Sequence, residues 1–392
     1  MYRAVKKSIC FISGSRADYG LLKWLIREVN NDEQFDMSII ATGSHLSERF
    51  GNTASEIESD GFQIDVKIPL DLDSDSRINT ARAFGECAIG IANSVEKLNP
   101  DLVVLLGDRY EIFAAATATY LLGKPIAHIH GGEVTHGSFD DGIRHSITKL
   151  SQIHFVANAE YAKRVMQLGE SPGSIHIVGG LGVDAIDKTP VIPFGDLANS
   201  LNVRFSEQNF LVTYHPETVD TSDKRAQVKE LLAALADRSD TSLFITLPNS
   251  DPNNAEIRAE FHEFGKRETN VFIFESLGQT KYLSLLRRMD GVIGNSSSGI
   301  IEAPHLGIPT VNIGSRQSGR VKAASIVDCD NSETAIRNAI HKIMSNDFRS
   351  VLKNAESSYG GPGASSKILA IIKCLDFEKM PTKAFFDLPS QS

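Results

Sequence analysis

The feature that most constrains the fold is a regular alternation of short apolar runs with longer amphipathic segments. Six runs in the first half have the length of buried strands: SICFISG (8–14), MSIIATG (37–43), DLVVLLGD (101–108), PIAHIHGG (125–132), QIHFVAN (152–158) and IHIVGGLG (175–182). Patterns typical of amphipathic helices lie between them, such as DYGLLKWLIREVNN (18–31). Strands joined by helices of ten or more residues form parallel sheets built from βαβ units.

The alternation stops at a segment rich in Pro, Asp and Asn, DAIDKTPVIPFGDLANSLN, which we interpret as a linker. It then restarts with six further runs: NFLVTYHP (209–216), TSLFITLPN (241–249), VFIFES (271–276), DGVIGNSS (290–297), PTVNIGS (309–315) and SIVDCD (325–330). A chain of 392 residues is too long for one compact core. We therefore predict an α/β protein with two Rossmann-like, doubly wound domains, 1–186 and 187–365, that face a cleft.

Composition and charge argue against several classes of function. A hydrophobic content of 41% and a charged content of 23% are typical of a soluble globular protein. The net charge of −9 gives no support to nucleic-acid or membrane-surface binding. The four cysteines are scattered without CxxC spacing, which indicates neither a zinc site nor a disulfide framework. We expect a cytoplasmic protein without a cofactor and without a nucleic-acid or membrane partner.

In doubly wound sheets, ligands bind beyond the carboxyl ends of the strands, so the residues there are candidates for function. After the first strand, GSRADYG is neither GxGxxG nor a P-loop, but it places Arg16 near a helix N-terminus, where it could meet a phosphate. From this motif alone, a plain strand–helix turn with a solvated arginine is the simpler interpretation. After the third strand, GDRYE allows two interpretations: Asp108 and Glu111 form a capping box, or Asp108 is a site carboxylate beside Arg109.

The stretch HIHGGEVTHGSFDDGIRHSITKL (128–150) holds four histidines and three carboxylates within twenty-three residues. His128 and His130 alternate along the fourth strand, so we expect their side chains to share a face. The two glycines that follow allow a tight turn or a close approach to a ligand, and Glu133 comes directly after them. This crowding of titratable groups at a strand end predicts acid–base chemistry.

The rest of this stretch predicts a helix with two pairs of side chains four residues apart. Asp140 pairs with Arg144 and Asp141 with His145, and each could be simple surface pairing. An HxH pattern with carboxylates lacks a complete ligand set for a metal ion, so we predict no metal site.

Polar side chains also follow the strands of the second half. YHPET places His215 at a strand end, and LPNSD places Asn249 similarly. In GNSSSGIIE, the first helical turn with Ser296 and Ser297 could cradle an anion, although a capping serine explains the same pattern. Glu302 on that helix would suit a ribose diol. NIGSRQSGR brings Arg316 and Arg320 toward the same region.

Seven motifs in order, GSRADYG, GDRYE, HGGE, DDGIRHSITKL, HPET, GNSSSGIIE and NIGSRQSGR, resemble the hydrolysing UDP-N-acetylglucosamine 2-epimerases of sialic-acid-type sugar biosynthesis. The resemblance covers about residues 8 to 375. It implies the two-domain architecture of GT-B glycosyltransferases, in which the C-terminal helix, here about 366–392, commonly packs on the first domain. It also implies a homodimer or homotetramer.

The resemblance implies a two-stage reaction. UDP-N-acetylglucosamine loses the C2 proton and UDP by anti-elimination, and the resulting 2-acetamidoglucal takes up water to give N-acetylmannosamine. The residues that fall in or beside the acid–base set are Asp108, His130, Glu133, Asp140 and His145. Those that fall on UDP-binding positions are Arg16, Asp18, Arg109, His215, Asn249, Leu277, Ser296, Ser297, Glu302 and Arg316.

One position departs from part of the wider family. The animal enzymes and the non-hydrolysing epimerases carry Glu directly before the two-residue turn, and this chain carries His130. Either His130 takes over a proton transfer, or Glu133 or Asp108 does, and the sequence leaves the base unassigned. Three alternatives to the main reading remain: the same reaction on UDP-2,4-diacetamido-2,4,6-trideoxyglucose, a GT-B glycosyltransferase, and a nucleotide-sugar binder without activity.

Overall fold

The two predicted series of βαβ units are present in the computed structural model of the chain. It describes residues 6–72, 76–135, 139–215, 224–236, 238, 240–247, 255–352, 356–380 and 383–388. One compact unit comprises Met1–Glu133, Phe139–Ala185 and Gly360–Ser392, and the other comprises Val134–Ser138 and Ile186–Tyr359. Each unit holds one parallel sheet, so the predicted α/β fold with two doubly wound sheets is confirmed.

The sheet of the first unit has seven parallel strands in the order β3-β2-β1-β4-β5-β6-β7. Its strands are β1 (Lys7–Ser13), β2 (Phe35–Thr42), β3 (Val66–Ile68), β4 (Leu102–Leu106), β5 (Ile126–Ile129), β6 (Ile153–Val156) and β7 (Ile175–Ile177). Its helices are α1 (Arg16–Asn30), α2 (Ala54–Ser59), α3 (Arg77–Leu98), α4 (Tyr110–Leu121), α5 (Phe139–Leu150) and α6 (Ala159–Gln167). The helix α7 (Leu181–Lys188) leads into the second unit.

The sheet of the second unit has six parallel strands in the order β10-β9-β8-β11-β12-β13. Its strands are β8 (Gln208–Thr213), β9 (Thr241–Thr246), β10 (Val271–Phe274), β11 (Gly291–Gly294), β12 (Thr310–Ile313) and β13 (Ile326–Cys329). Its helices are α8 (Phe194–Leu201), α9 (Lys224–Leu235), α10 (Ala255–Arg267), α11 (Gly278–Leu286), α12 (Ser298–His305), α13 (Glu333–Met344) and α14 (Asn346–Leu352). The last α-helix of the described residues is α15 (Ala364–Lys373).

The inner strands are largely apolar because helices cover both faces of each sheet. In β1, Phe11 packs into one apolar cluster, while Cys10 and Ile12 pack into the cluster on the opposite face. All five residues of β4 are buried for the same reason.

The last helix packs in the first unit. Asp184 of α7 accepts hydrogen bonds from the backbone N–H groups of Gly363 and Ser365, at 2.8 and 3.0 Å, and so caps α15. Ile368 and Ile372 then join the apolar cluster that contains Phe11. The two units therefore divide in sequence at Ala185/Ile186 and Tyr359/Gly360, whereas the predicted boundaries lie at 186/187 and 365/366.

The segment after α15 returns to the ends of α5 and α6. Lys383 donates hydrogen bonds to the carbonyl oxygens of Thr148 and Ser151 and forms an ion pair with Glu170. Glu170 also accepts from Lys149 at 2.6 Å and from His154 at 3.0 Å. A buried carboxylate with three nitrogen partners thus anchors the described segment around Lys383.

The predicted linker 184–202 was wrong in its character, because most of it is helical. The helix α7 ends at Lys188 shortly before Pro190, and α8 begins directly after Pro193, which occupies its N-cap position. The prolines mark helix boundaries, and the buried Leu197 packs α8 onto the second unit. Across the described residues, no helix combines the length and the apolar character needed to cross a bilayer.

The strand orders fix where ligands can bind. In the first sheet the order reverses between β1 and β4, and in the second between β8 and β11. At such a switch point the loops that follow the two neighbouring strands lead away from each other. This leaves room for a ligand beyond the carboxyl ends of the strands. The residues at these ends are therefore the candidates for ligand binding.

Candidate active site

The turn after β1 positions Arg16 and Asp18. Ser15 caps α1 by accepting a hydrogen bond from the backbone N–H of Asp18 at 3.3 Å, and Arg16 is the exposed first residue of that helix. Asp18 is buried, and its Oδ2 atom has no hydrogen-bond partner within the described part of the chain. Burial raises the pKa of Asp18 to about 6, although the nearby Arg109 lowers it.

The turn after β4 does not form the capping box. Arg109, without a side-chain cap, occupies the N-cap position of α4. Its guanidinium group donates to both carboxylate oxygens of the buried Glu111, at 3.3 and 3.1 Å. Glu111 in turn lies against Gly43, where an added Cβ would approach Oε1 to 2.9 Å. The carboxylate of Glu111 raises the pKa of Arg109, and the pair joins a buried carboxylate to an arginine side chain that is 40% exposed at the turn.

Asp108 is instead bound by Arg144 of α5. Arg144 is only 2% exposed, and it donates to the carboxylate of Asp108, to Asp141 Oδ1 at 3.1 Å and to the carbonyl oxygen of Glu133 at 2.9 Å. A surface pairing of Arg144 was therefore the wrong expectation, because its guanidinium group is buried among groups from three segments. Its planar donors suit such multiple contacts. Arg144 joins the end of β4, the turn after β5 and the first turns of α5.

His130 and Glu133 form a buried pair at the end of β5. Nδ1 of His130 lies 2.7 Å from Oε1 of Glu133, and the two residues are 9% and 3% exposed. The strand ends at Ile129, and His130 has a left-handed backbone with φ of 67°. The alternation that predicted a shared face for His128 and His130 therefore does not extend to His130.

His128 has a structural role. Its Nδ1 atom lies 3.1 Å from Thr148 Oγ1 and its Nε2 atom 2.8 Å from the carbonyl oxygen of Gly107. Complete burial lowers the pKa of His128 to about 3 and keeps the imidazole neutral. It ties β5 to α5 and to the turn after β4.

The two glycines after His130 are required by close packing. A Cβ on Gly131 would lie 3.0 Å from Thr148 Oγ1. A Cβ on Gly132, where φ is +78°, would lie 2.4 Å from the carbonyl oxygen of Tyr161. Arg164 of α6 also donates to the carbonyl oxygen of Gly132 at 2.5 Å. The turn that carries the His130–Glu133 pair is thus held from both α5 and α6.

Asp140 and His145 lie on α5, on either side of Arg144 in sequence. Asp140 is a half-buried residue of the first turn. His145 Nε2 lies 3.6 Å from Asp141 Oδ2, and burial lowers its pKa. His145 also lines a pocket of about 480 Å³ with Phe113, Thr117, Ser146, Lys149, Leu150 and Leu168. Its partner Asp141 bridges it to Arg144.

In the second unit, Asn295 organises the residues beyond β8 and β11. Its side-chain oxygen accepts from the backbone N–H of His215 at 2.7 Å, and its amide donates to the carbonyl oxygen of His215 at 2.8 Å. Its own carbonyl oxygen accepts from Arg316 at 2.9 Å and from Gln317 at 2.8 Å. Burial, followed by the charge of Arg316, lowers the pKa of His215 to about 3, so this imidazole is neutral near pH 7.

Ser296 and Ser297 form the turn before α12, and Ser297 is its N-cap residue. Ser296 Oγ accepts from the backbone N–H of Ser298 at 3.3 Å. Ser298 Oγ accepts from the hydroxyl of Tyr282 at 2.6 Å. Glu302 is half-buried one turn further along α12, and its charge adds to burial in raising the pKa of Tyr282. Hydroxyl groups, a helix N-terminus and a carboxylate thus follow one another at the switch point of the second sheet.

Two predicted residues stand apart from these clusters. Leu277, half-buried, is the N-cap residue of α11 after β10. Asn249 lies outside the described residues, as do Pro216 to Thr218 of the HPET motif.

The partners that hold the site were not predicted from the sequence. Arg144, Asp141 and Asn295 lie inside the quoted motifs, but Asn295 received no role and the other two only a surface one. A buried role for Arg144 could have been suspected because it follows a turn at a strand end that is crowded with carboxylates. Among the described residues, no group of three or more His, Cys, Asp or Glu side chains is placed to hold a metal ion.

The arrangement in the first unit supports proton transfer. It places a histidine–glutamate pair, an arginine-bound carboxylate and a buried aspartate with a raised pKa at the carboxyl ends of neighbouring strands. The second unit supplies donors for an anion and a carboxylate that suits a diol.

Comparisons with known proteins agree with this chemistry. The sequence profile of the family described as UDP-N-acetylglucosamine 2-epimerase matches residues 27–373. A GDP/UDP-N,N'-diacetylbacillosamine 2-epimerase (hydrolyzing) from Campylobacter jejuni is 36% identical, over 98% of this chain and 100% of that protein. The polysialic acid biosynthesis protein P7 of Escherichia coli is 34% identical, over 98% of each chain. The fold is similar to that of S. aureus MnaA in its co-structure with UDP, with a TM-score of 0.81 and 16% identity over 98% of this chain and 100% of that one.

Proposed function

This chain belongs to the UDP-N-acetylglucosamine 2-epimerase family, and from that premise we propose that it is a hydrolysing 2-epimerase. It converts UDP-N-acetylglucosamine and water to N-acetylmannosamine and UDP, in a step toward sialic-acid-type sugars. The observation that carries the proposal is the buried acid–base cluster at the ends of β4 and β5, in which His130 pairs with Glu133 and Arg144 binds Asp108. Binding alone would not require such a cluster.

The chemistry explains why acid–base groups and anion donors are both needed. The C2–H bond of a sugar is a weak acid, and loss of UDP from C1 supplies the electron demand that makes its removal feasible, as in other glycosyl cleavages. Groups that stabilise the leaving diphosphate lower the barrier of this step. We assign this role to Arg16, Arg316 and the serine-rich turn at Ser296 and Ser297.

The remaining site residues receive roles by the same logic. His215 is neutral and can donate or accept a hydrogen bond without adding charge. Glu302 accepts from the ribose hydroxyls, and Asn249, Leu277, Asp18 and Arg109 complete the UDP-binding set. Asp108, His130, Glu133, Asp140 and His145 form the acid–base set.

A second substrate is favoured by one observation. The Campylobacter jejuni relative is named for N,N'-diacetylbacillosamine, which is a 2,4-diacetamido-2,4,6-trideoxy sugar. UDP recognition and the chemistry at C1 and C2 would be unchanged, and only contacts to C4 and C6 would differ. We therefore carry UDP-2,4-diacetamido-2,4,6-trideoxyglucose as the alternative substrate.

The test is the release of UDP from each of the two UDP-sugars by the purified full chain, without any acceptor. A hydrolysing epimerase releases UDP and a free 2-epimeric sugar, and the faster of the two substrates identifies the natural one. Asp108→Asn should abolish release, while Glu160→Gln, an exposed change on α6, should leave it unchanged. A glycosyltransferase would release no UDP until an acceptor is added, and a binder would release none.

The assembly and location are part of the same proposal. We expect a homodimer or homotetramer, which light scattering would show as the mass of two or four chains. A cytoplasmic location stays a prediction from the scattered cysteines.

A further inference from the structure

The hydrogen bond between His130 and Glu133 indicates which ring nitrogen of His130 carries the hydrogen. An ionised carboxylate can only accept a hydrogen bond, so the 2.7 Å contact requires Nδ1 of His130 to carry the hydrogen. In a neutral imidazole the other nitrogen, Nε2, then holds a lone pair. Nε2 is buried and has no hydrogen-bond partner in the part of the chain that the structure describes.

On the basis of the proposed function, we infer that His130 Nε2 is the base that removes the C2 proton and that Glu133 is the positioning residue that fixes its tautomer. This divides one role between two residues. Glu133 does not touch the substrate in this scheme. It orients the ring and stabilises the imidazolium ion that forms, as carboxylates do for histidines in other enzymes.

The backbone supports this assignment. His130 is a non-glycine residue with a φ of 67°, a conformation that costs free energy and is enriched where function requires it. It is held there because its N–H donates to the carbonyl oxygen of Phe155 at 3.0 Å, on the neighbouring strand β6. The left-handed turn also brings Glu133, three residues on, back to Nδ1.

The neighbouring arginines donate to the backbone of the turn, and Glu133 is the residue that pairs with the ring of His130. Arg144 of α5 donates to the carbonyl oxygen of Glu133, and Arg164 of α6 donates to that of Gly132. His128 of β5 is occupied on both nitrogens by Thr148 and Gly107. Of these two histidines, His130 is the one whose ring has a nitrogen, Nε2, without a hydrogen-bond partner in the described part of the chain, and this atom can contact a substrate.

The proton transfer balances without any further reactant. The C2–H electron pair becomes the second bond between C1 and C2, the C1–O bond breaks, and its electron pair leaves with UDP. The proton passes to Nε2 and gives an imidazolium ion paired with Glu133. In the hydration step, the electron pair of the C1–C2 double bond takes a proton at C2 from a group on the opposite face, and the oxygen of water bonds to C1. The proton that water loses restores that group, and the imidazolium ion of His130 gives its proton to solvent before the next turnover.

The test combines nitrogen NMR with kinetics on the full chain labelled with ¹⁵N-histidine. The spectrum of a His130→Gln variant identifies the His130 signals by their absence. We expect the Nδ1–H tautomer in the wild type. In Glu133→Gln the amide can donate to Nδ1, so we expect a shift toward the Nε2–H form. Its kcat should fall by about 10²–10⁴-fold, because a positioned acid–base group typically accelerates a reaction by that factor and the variant loses the positioning. Its KM should change little.

The outcomes separate this inference from the proposed function. An Nε2–H tautomer in the wild type overturns the inference, whether or not the protein turns over a UDP-sugar. This measurement needs only one folded variant, His130→Gln, which is used to assign the signals. Near-normal turnover by His130→Gln overturns the role of the base, and an unchanged tautomer and kcat in Glu133→Gln overturn the positioning role. If the wild type releases no UDP from either sugar, the proposed function fails, while the tautomer is still decided by the spectrum.

Discussion

Arg144 is the residue whose loss should most affect the candidate site. Arg144→Met keeps the length of the side chain but removes the donors to Asp108, Asp141 and the carbonyl oxygen of Glu133. Breaking a buried ion pair typically costs about 3–5 kcal/mol, and an unpaired buried carbonyl about 1–3 kcal/mol. The side chains of Asp108 and Asp141 are 27% and 29% exposed, so water compensates part of this loss. We expect the free energy of unfolding to fall by about 2–4 kcal/mol.

The chain offers a local probe for this prediction. Its one tryptophan, Trp24, lies on α1 in the first unit, so urea unfolding followed by tryptophan fluorescence reports on that unit. The matched control is Lys67→Met, which removes a surface ion pair with Glu58 in the same unit and should cost at most about 1 kcal/mol. In the double variant with Asp108→Asn, part of the stability should return because one of the unpaired charges is gone. A loss for Arg144→Met no larger than that for Lys67→Met would refute the reasoning.

Three further predictions use the same unfolding assay. Gly132→Ala should destabilise the first unit by at least about 1–3 kcal/mol, because alanine at a φ of +78° is strained and its Cβ would clash with the carbonyl oxygen of Tyr161; wild-type stability would contradict this. Because burial raises the pKa of Asp18 from 3.8 to about 6, the free energy of unfolding of the wild type should fall as pH rises from about 4 through 6. The variant Asp18→Asn should lack this slope and be more stable than the wild type at pH 7.5. It should also bind UDP-sugar more weakly. Burial alone would raise the pKa of Glu170, but its three nitrogen partners lower it to about 2, so its contribution should be lost as pH falls from 4.5 toward 2, and Glu170→Gln should show a flatter acid limb.

Much of the fold follows from the sequence because parallel strands buried on both faces are recognisable as apolar runs. Each of the twelve predicted runs overlaps a strand of the two sheets. The strand β3 escaped because it has only three residues, Val66–Ile68, with the charged Lys67 at its centre. The helices α7 and α8 escaped because Pro190 and Pro193 between them resemble a linker in composition.

The sequence predicts where the site lies in the fold, but it does not predict which side chains pair with each other there. Strand ends drew attention to Asp108, His130 and Glu133 because parallel strands direct their carboxyl ends to one edge of the sheet. Which partner each side chain takes depends on contacts between residues far apart in sequence, such as Asp108 with Arg144. The orientation of His130 depends on a left-handed residue that no alternation rule anticipates.

The central claim, that this chain is a hydrolysing 2-epimerase, is tested most directly by proton and phosphorus NMR of the purified protein with UDP-N-acetylglucosamine in D₂O. The account predicts free UDP together with N-acetylmannosamine that carries deuterium at C2. The diacetamido sugar nucleotide is run alongside. Release of UDP and of the 2-epimeric diacetamido sugar with deuterium at C2, from this substrate alone, would keep the mechanism and change the substrate. Intact UDP-N-acetylmannosamine would contradict the hydrolytic step, and UDP with undeuterated N-acetylglucosamine would contradict epimerisation.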